Sequence, residues 1–211
     1  MILGAAERGQ LEAVMNTRVF PDGAEIVSHL DRTADVFLIV AGRVSIVIHA
    51  EDGRVVDFAE AGPGEIFGEI AAIDGGPRSA SVVARGAVEA GVIARADFLA
   101  LLDRPAFARA VNEHFARQVR ALNERVVEFS TLLVRERLVR ELLRRAPDDA
   151  ANAEIRLSPM PTHFDLAARI STHREAVSRE MSRLAKLGVV QRLDGALVIQ
   201  SREALESLLG R

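Results

Sequence analysis

The stretch Gly62–Ala84, GPGEIFGEIAAIDGGPRSASVVA, gathers residue types suited to holding one small ligand. Phe67-Gly68-Glu69-Ile70-Ala71-Ala72 reads as a tight turn opening a very short helix. A helix start offers unpaired backbone N–H groups and a partial positive charge, both favourable to a phosphate. Gly68 has no Cβ and lets the backbone come close to a ligand. Gly75-Gly76-Pro77 turns the chain, and Arg78 and Ser79 open an apolar strand. A guanidinium forks onto phosphate oxygens, and the Ser79 hydroxyl adds another donor. Glu69 repels a phosphate but suits a hydroxyl such as a ribose 2′-OH. A phosphate and a sugar hydroxyl together describe a nucleotide. A hairpin with a surface Arg–Glu pair is the plainer alternative.

The chain that must position these residues has 211 residues, enough for one large or two small domains. About half of it is apolar (49%), but no uninterrupted run approaches the roughly 20 residues of a membrane span. MILGAAERGQLEAVMN lacks a basic segment followed by an apolar one, so a cytoplasmic location is expected. The absence of cysteine excludes disulfides, thiol catalysis and cysteine-ligated iron–sulfur clusters. The net charge of −3 divides unevenly: residues 1–134 hold 13 basic and 19 acidic side chains, residues 135–211 hold 14 and 11. The basic excess lies in the C-terminal third, where a nucleic-acid contact needs it.

Residues 5–16 suit a short amphipathic helix. Ala24–Leu30, Val36–Val40, Val44–Ile48, Val55–Ala59, Ser81–Ala84 and Val88–Ile93 are short apolar or alternating runs, with Pro21-Asp22-Gly23, Ala41-Gly42 and Asp52-Gly53 as turns. Together they predict about eight antiparallel strands in a closed sandwich or roll. Asp97–Leu102 is a short helix. From Ala106 to about Val134 no glycine or proline occurs, and Phe115, Val119, Leu122, Val126, Phe129 and Leu133 repeat at heptad spacing. That pattern suits either a core helix or a helix pairing with its twin. A hinge is expected near Thr131–Val134, followed by a helix at about Arg135–Arg145 and a polar loop through Ala153.

Thr162-His163-Phe164-Asp165 is a Thr-x-x-Asp helix start preceded by Pro161. It opens a helix to Ile170. Ser171-Thr172-His173 turns the chain into a second helix, about His173–Leu187, which stops at Gly188. Val189–Leu193 and Ala196–Ile199 flank Asp194-Gly195, a favoured hairpin dipeptide, and Ser201 caps a last helix. Two helices on a tight turn followed by a hairpin form a winged helix-turn-helix. Arg174, Glu175, Ser178 and Arg179 share the outer side of its second helix. Arginine bonds guanine at O6 and N7, and glutamate accepts from the cytosine amino group.

FGEIAAIDGGPRSASVVA resembles the phosphate-binding cassette of the cyclic-nucleotide-binding domain of the catabolite activator/FNR superfamily, and DLAARISTHREAVSREMSRLAKLGVV resembles its recognition segment. The resemblance spans roughly residues 15–200. It implies an α+β chain: an antiparallel β-roll over 1–104, a central dimerisation helix and hinge over 105–134, and a winged helix-turn-helix over 135–211. In that frame Glu69 binds the ribose hydroxyl, while Arg78 and Ser79, with the backbone of Gly68, Glu69, Ile70 and Ala71, hold the cyclic phosphate. Leu122 and Asn123 match a Thr-Ser pair that touches adenine in cAMP-responsive members. Leu122 has no hydrogen bond to give and Asn123 has, which leaves cAMP and cGMP both open.

The resemblance further implies a homodimer on double-stranded DNA with a near-palindromic operator, acting with RNA polymerase. Thr162, Ser171 and Thr172 lie where the phosphate backbone is gripped, and His173 belongs to the same DNA-binding set. Arg174-Glu175 with Arg179 matches the catabolite-activator reading set and TGTGA-like half-sites. Glu175 with Ser178-Arg179 also matches the FNR-type set and TTGAT-like ones.

Other classes fare worse. A haem would need His29, His49 or His114, and the complete cassette speaks against it, so no haem, metal or cluster is expected. The five histidines lack H-x-x-x-H spacing, and neither a nucleophile elbow nor a Walker loop occurs, so no enzyme is expected. A member that senses another ligand or none, and a ligand-binding module acting on a protein partner, stay open.

Overall fold

The computed structural model describes residues 4–49, 55–147 and 154–209. Among these residues two compact units form: residues up to 49 together with 57–121, and residues from 122 onward.

In the first unit, helix α1 (Ala5–Glu12) precedes strands β1 (Asn16–Phe20), β2 (Glu25–Val27), β3 (Val36–His49), β4 (Val55–Ala61) and β5 (Ile66–Phe67). The short helix α2 (Glu69–Asp74) leads to strand β6 (Ser81–Ile93) and helix α3 (Arg95–Leu102). The strands make one six-stranded sheet in the order β1-β6-β3-β4, with β2 joined to β6 and β5 joined to β3. Side-chain alternation along β3 feeds two cores. Phe37 and Ile39 pack with Val44, Phe67, Val82 and Val88. Val36 and Leu38 pack with Leu11, Ile93, Phe98 and Phe107.

The expected turn at Ala41-Gly42 is not a turn, and two pairs of runs are each one strand. The runs Val36–Val40 and Val44–Ile48 belong to one strand, as do Ser81–Ala84 and Val88–Ile93. Gly42 sits at φ +86° where the β3–β6 register shifts, and a Cβ there would lie 2.4 Å from the Ala87 carbonyl oxygen. It therefore serves a bulge inside a long strand. Residues 16–20, given to the end of a helix or left unassigned by pattern, form β1 against β6. The cassette strand begins at Ser81, two residues after Ser79. The Asp52-Gly53 turn and the loop at 148–153 lie outside the described residues.

Helix α4 (Pro105–Thr131) runs from the first unit into the second. Phe107, Val111 and His114 are its buried residues. Helix α4 stops at Thr131 and helix α5 (Val134–Arg145) starts after two residues, in the stretch Thr131–Val134 where a hinge is expected. Leu133 is the N-cap of α5. Its N–H donates to the Glu136 carboxylate at 2.8 Å, which stands in for the missing polar cap.

The second unit continues with β7 (Ile155–Leu157), α6 (His163–Arg169), α7 (Arg174–Lys186), β8 (Val190–Leu193), β9 (Ala196–Ile199) and α8 (Arg202–Glu206). Strand β9 lies between β7 and β8. One core joins Leu138 and Leu142 of α5, Leu166 of α6, Val177, Met181 and Leu184 of α7, and Leu197 and Ile199 of β9.

Candidate functional site

Gly68 carries the geometry of the first site. It sits at φ +86° as the N-cap of α2, and an added Cβ would lie 2.7 Å from Arg78 Nη1 and 2.8 Å from the Asp35 carbonyl oxygen. Only glycine fits there without displacing one of them. The stacked rings of Phe37 and Phe67, with centroids 4.8 Å apart, hold β3 and β5 together just before this turn.

Arg78 is 2% exposed. Its Nε donates to Thr33 Oγ1 at 3.0 Å, Nη1 to the Gly68 carbonyl at 3.0 Å and Nη2 to the Asp35 carbonyl at 2.9 Å. All three acceptors are neutral oxygens. Burial pulls the guanidinium below its ordinary value, against the more distant charges of Asp35, Asp31 and Glu69. A buried cation fixed by neutral acceptors retains charge and N–H capacity for an anion.

Glu69, the first residue of α2, is 3% exposed. Its Oε1 lies 3.6 Å from His114 Nε2 of α4. Nearby, burial pushes the Glu65 carboxyl up, yet its net displacement is downward; the Gly62 N–H, donating at 2.8 Å, and the charge of His114 both contribute. Ala71 is buried, whereas Ile70 and Ser79 are exposed. The structure thus brings Gly68, Glu69 and Arg78 together around the start of α2. Leu122 and Asn123 are exposed on the part of α4 that belongs to the second unit.

The apolar stripe of α4 is narrower than its heptad spacing implies. Phe115 packs on the first unit's core, and Phe129 lies beneath the guanidinium groups of Arg125 and Arg137, each 5.4 Å from the ring centroid. Val119, Leu122 and Val126 remain exposed along one side, Val126 at 63%.

In the second unit the Thr162 side chain caps α6 by accepting from the Asp165 N–H at 3.0 Å. Ser171 takes a left-handed conformation (φ 50°), and the Thr172 N–H bonds the Ala167 carbonyl at 3.0 Å, closing the turn between α6 and α7. His173 is the N-cap of α7. Val177, Met181 and Leu184 are buried, which turns Arg174, Glu175 and Arg179 outward, with Ser178 half-buried. Among the described residues none of these three charged side chains forms an ion pair.

Pattern alone passed over a contact between α6 and the hairpin. Arg192 Nη2 of β8 lies 3.1 Å from His163 Nε2. Burial pulls the His163 imidazole below its ordinary value, and the charges of Arg192 and Arg174 act in the same direction.

Two family models match the chain. The cyclic nucleotide-binding domain matches residues 17–105, and the Crp-like helix-turn-helix domain matches residues 136–208. The cyclic AMP receptor protein of Thermus thermophilus is 32% identical over 194 residues, covering 90% of this chain and 87% of that protein. The chain belongs to the CRP/FNR superfamily of transcription regulators. A CRP-like cAMP-activated global transcriptional regulator of Mycobacterium tuberculosis is 26% identical, with 86% and 82% of the two chains covered. Among solved structures, the c-di-GMP responsive global regulator CLP of Xanthomonas campestris superposes with a TM-score of 0.81 over 93% of this chain and 99% of that one. At 19% identity that likeness concerns the fold. The α+β class and the order of antiparallel sheet, long helix and helix-turn-helix agree with the family. The chain is therefore a CRP-like DNA-binding regulator with a cyclic nucleotide-binding domain. No helix among the described residues is long and apolar enough to cross a membrane.

Proposed function

We propose that the chain is a homodimeric, cytoplasmic transcription regulator, not an enzyme, whose grip on operator DNA is set by cAMP in the Gly68–Ser79 cassette. The observation that carries this reading is Arg78: a buried guanidinium held by three neutral oxygens, one of them the Gly68 carbonyl at the mouth of α2. In this arrangement Arg78, Ser79 and the backbone from Gly68 to Ala71 take the cyclic phosphate, and Glu69 takes the ribose hydroxyl. cAMP is preferred to cGMP because relatives from Thermus thermophilus and Mycobacterium tuberculosis are described as cAMP proteins.

The exposed stripe Val119–Leu122–Val126 pairs two copies of α4 in parallel. Nucleotide then acts through its differential affinity for two arrangements of that pair and of the Leu132–Leu133 break, placing the two α7 helices in register on DNA. RNA polymerase is the partner on the promoter.

Titration calorimetry of nucleotide-stripped protein with cAMP and with cGMP, followed by operator binding in the presence of each, tests this. Tight binding of cAMP together with a gain in DNA affinity is expected. Binding of neither nucleotide overturns the proposal.

Leu122 supports a second reading. Its apolar side chain offers nothing to hydrogen-bond a base, and it already suits the helix-paired arrangement, so the protein would bind DNA substantially without ligand. Operator affinity unchanged by either nucleotide would favour this second reading.

A further inference from the structure

The cyclic-nucleotide reading assigns no role to His114, whose ring faces Glu69. His114 is 5% exposed, and its Nε2 is buried without a hydrogen-bond partner. That nitrogen lies 3.6 Å from Glu69 Oε1, a few tenths of an ångström beyond hydrogen-bond length. Both groups are taken out of water, and a buried carboxylate is costly without a partner. A neighbouring imidazole can turn an N–H toward that carboxylate while leaving its other lone pairs for the sugar.

The backbone explains why this pair is held so firmly. Glu69 starts directly after Gly68, whose carbonyl is bonded to Arg78. The ribose acceptor and the phosphate donor therefore share one rigid turn. His114 follows Phe107 and Val111 on the buried stripe of α4, so its ring is fixed by the same packing that fixes the helix. On the α4 side the Glu69 carboxylate meets the His114 ring, which opposes its rotation away from the ligand.

We infer that His114 is a positioning residue for the nucleotide site: through Nε2 it holds the Glu69 carboxylate facing the ribose 2′-hydroxyl and so sets the preference for ribose over deoxyribose cyclic nucleotides. The inference rests on the cyclic-nucleotide reading and assigns that site's sugar selectivity to a residue outside the cassette. Glu69 is the contact; His114 acts through it.

The test compares cAMP with 2′-deoxy-cAMP, which lacks the hydroxyl in question. Kd for both is measured by calorimetry on the full-length parent, on His114→Leu and on His114→Gln, with thermal unfolding of each variant as a folding control. The parent should prefer cAMP. His114→Leu should lower that preference about tenfold, the effect expected when the charge-assisted Glu69–ribose hydrogen bond loses its alignment, mostly through weaker cAMP binding. His114→Gln, whose amide keeps an N–H on the same side, should retain most of the preference and rescue the fold if leucine does not support it.

An equal loss for both nucleotides in His114→Leu, with the ratio unchanged, would mean that His114 only packs, and would overturn the inference. A glutamine variant with the parent's stability but no sugar preference would also overturn it. A parent that binds neither nucleotide would overturn the cyclic-nucleotide reading itself, an outcome visible before any variant is made.

Discussion

Arg125 of α4 donates through Nη2 to the main-chain carbonyl of Arg169, the last residue of α6, at 2.6 Å. The C-terminal end of the long helix is thereby tied to the first helix of the helix-turn-helix, where carbonyls otherwise lack partners. One turn further on, Phe129 lies under Arg125 and Arg137, and Glu128 accepts from both Arg140 and Arg144. Burial pulls the Arg137 guanidinium below its ordinary value, against the charge of Glu128. The two-residue break at Leu132–Leu133 is thus bridged by side chains on both flanks. Phe129→Ala should remove the ring beneath both guanidiniums and destabilise this unit by on the order of 2 kcal/mol, through lost burial and cation–π contact. Denaturant unfolding reads that loss. The same variant should shrink the difference in operator affinity with and without nucleotide; an unchanged difference would place the coupling elsewhere.

Arg78 gives the most direct test of the ligand site. Arg78→Ala leaves a bound phosphate without its buried counter-charge, and nucleotide affinity should fall by about 2–5 kcal/mol. Arg78→Lys should recover little, because a single ammonium does not reproduce three N–H contacts to Thr33, Gly68 and Asp35. Glu69→Ala should weaken binding less than Arg78→Ala. Calorimetry on stripped protein reads all three, and undiminished affinity in Arg78→Ala would exclude the cassette as the site.

Much of this was legible because it is local. The Thr162–Asp165 cap, the Asp194-Gly195 hairpin turn and the Val177–Met181–Leu184 stripe each depend on residues within one or two turns of one another. The holders of Arg78 were not legible. Thr33 and Asp35 precede it by more than forty positions, and two of its three acceptors are main-chain carbonyls that leave no mark in sequence. Gly42 resembled a turn because turns and bulges make the same demand for positive φ. Heptad spacing marked an apolar seam without saying which members face the protein's own core, so Phe115 and Phe129 were counted with Val119, Leu122 and Val126. His114 did have a signal: with Phe107 and Val111 it continues an i, i+4, i+7 stripe, which is the buried face of α4.

The exposed stripe of α4 predicts the consequence of a charge at its centre. Val126→Asp sets two carboxylates against each other wherever two copies of the helix pair in parallel. The variant should be monomeric by light scattering and should lose operator binding at the same time. A variant that stays dimeric would move the interface off this stripe.

The contact between His163 and Arg192 predicts a pH dependence of DNA binding. In free protein, burial and the charges of Arg192 and Arg174 keep the His163 proton affinity below the ordinary imidazole value. A DNA phosphate beside these groups adds negative charge and raises it again. Binding then takes up a proton, so operator affinity should rise as pH falls through the imidazole range and level off once free His163 is itself protonated. The sign for stability is opposite. A depressed histidine favours the folded state above the unfolded value of about 6.5, and that contribution is lost as pH falls. Anisotropy of a labelled operator at constant ionic strength should show the rise for the parent and a flatter profile for His163→Gln. Identical profiles would leave His163 without a part in DNA binding.

The outward face of α7 makes the most detailed prediction. A two-fold dimer places two copies of this helix in successive major grooves, about 34–36 Å apart, so the operator should be a near-palindrome. Arg179 is expected to read the guanine of a central G·C pair and Glu175 the cytosine amino group on the other strand. Arg174 adds a second guanine, which favours TGTGA-like over TTGAT-like half-sites. Ser178 is half-buried, whereas Arg174 is exposed and better placed to reach that base. Thr162, Ser171, Thr172 and His173 surround the turn between α6 and α7 and are expected to grip phosphates, which sets register without reading sequence. Arg179→Ala should therefore cost roughly 1–3 kcal/mol per half-site on the preferred base and relax the choice there. Thr172→Ala should weaken all sequences about equally. Selection from random duplexes by the parent and by Arg174→Ala, at one fixed salt concentration, separates the two codes. The parent should enrich TGTGA-like half-sites, and the variant should lose preference at the first guanine only. Identical base preferences for the two proteins would show that Arg174 meets backbone or solvent, and the set Glu175, Ser178 and Arg179 would then specify a TTGAT-like half-site.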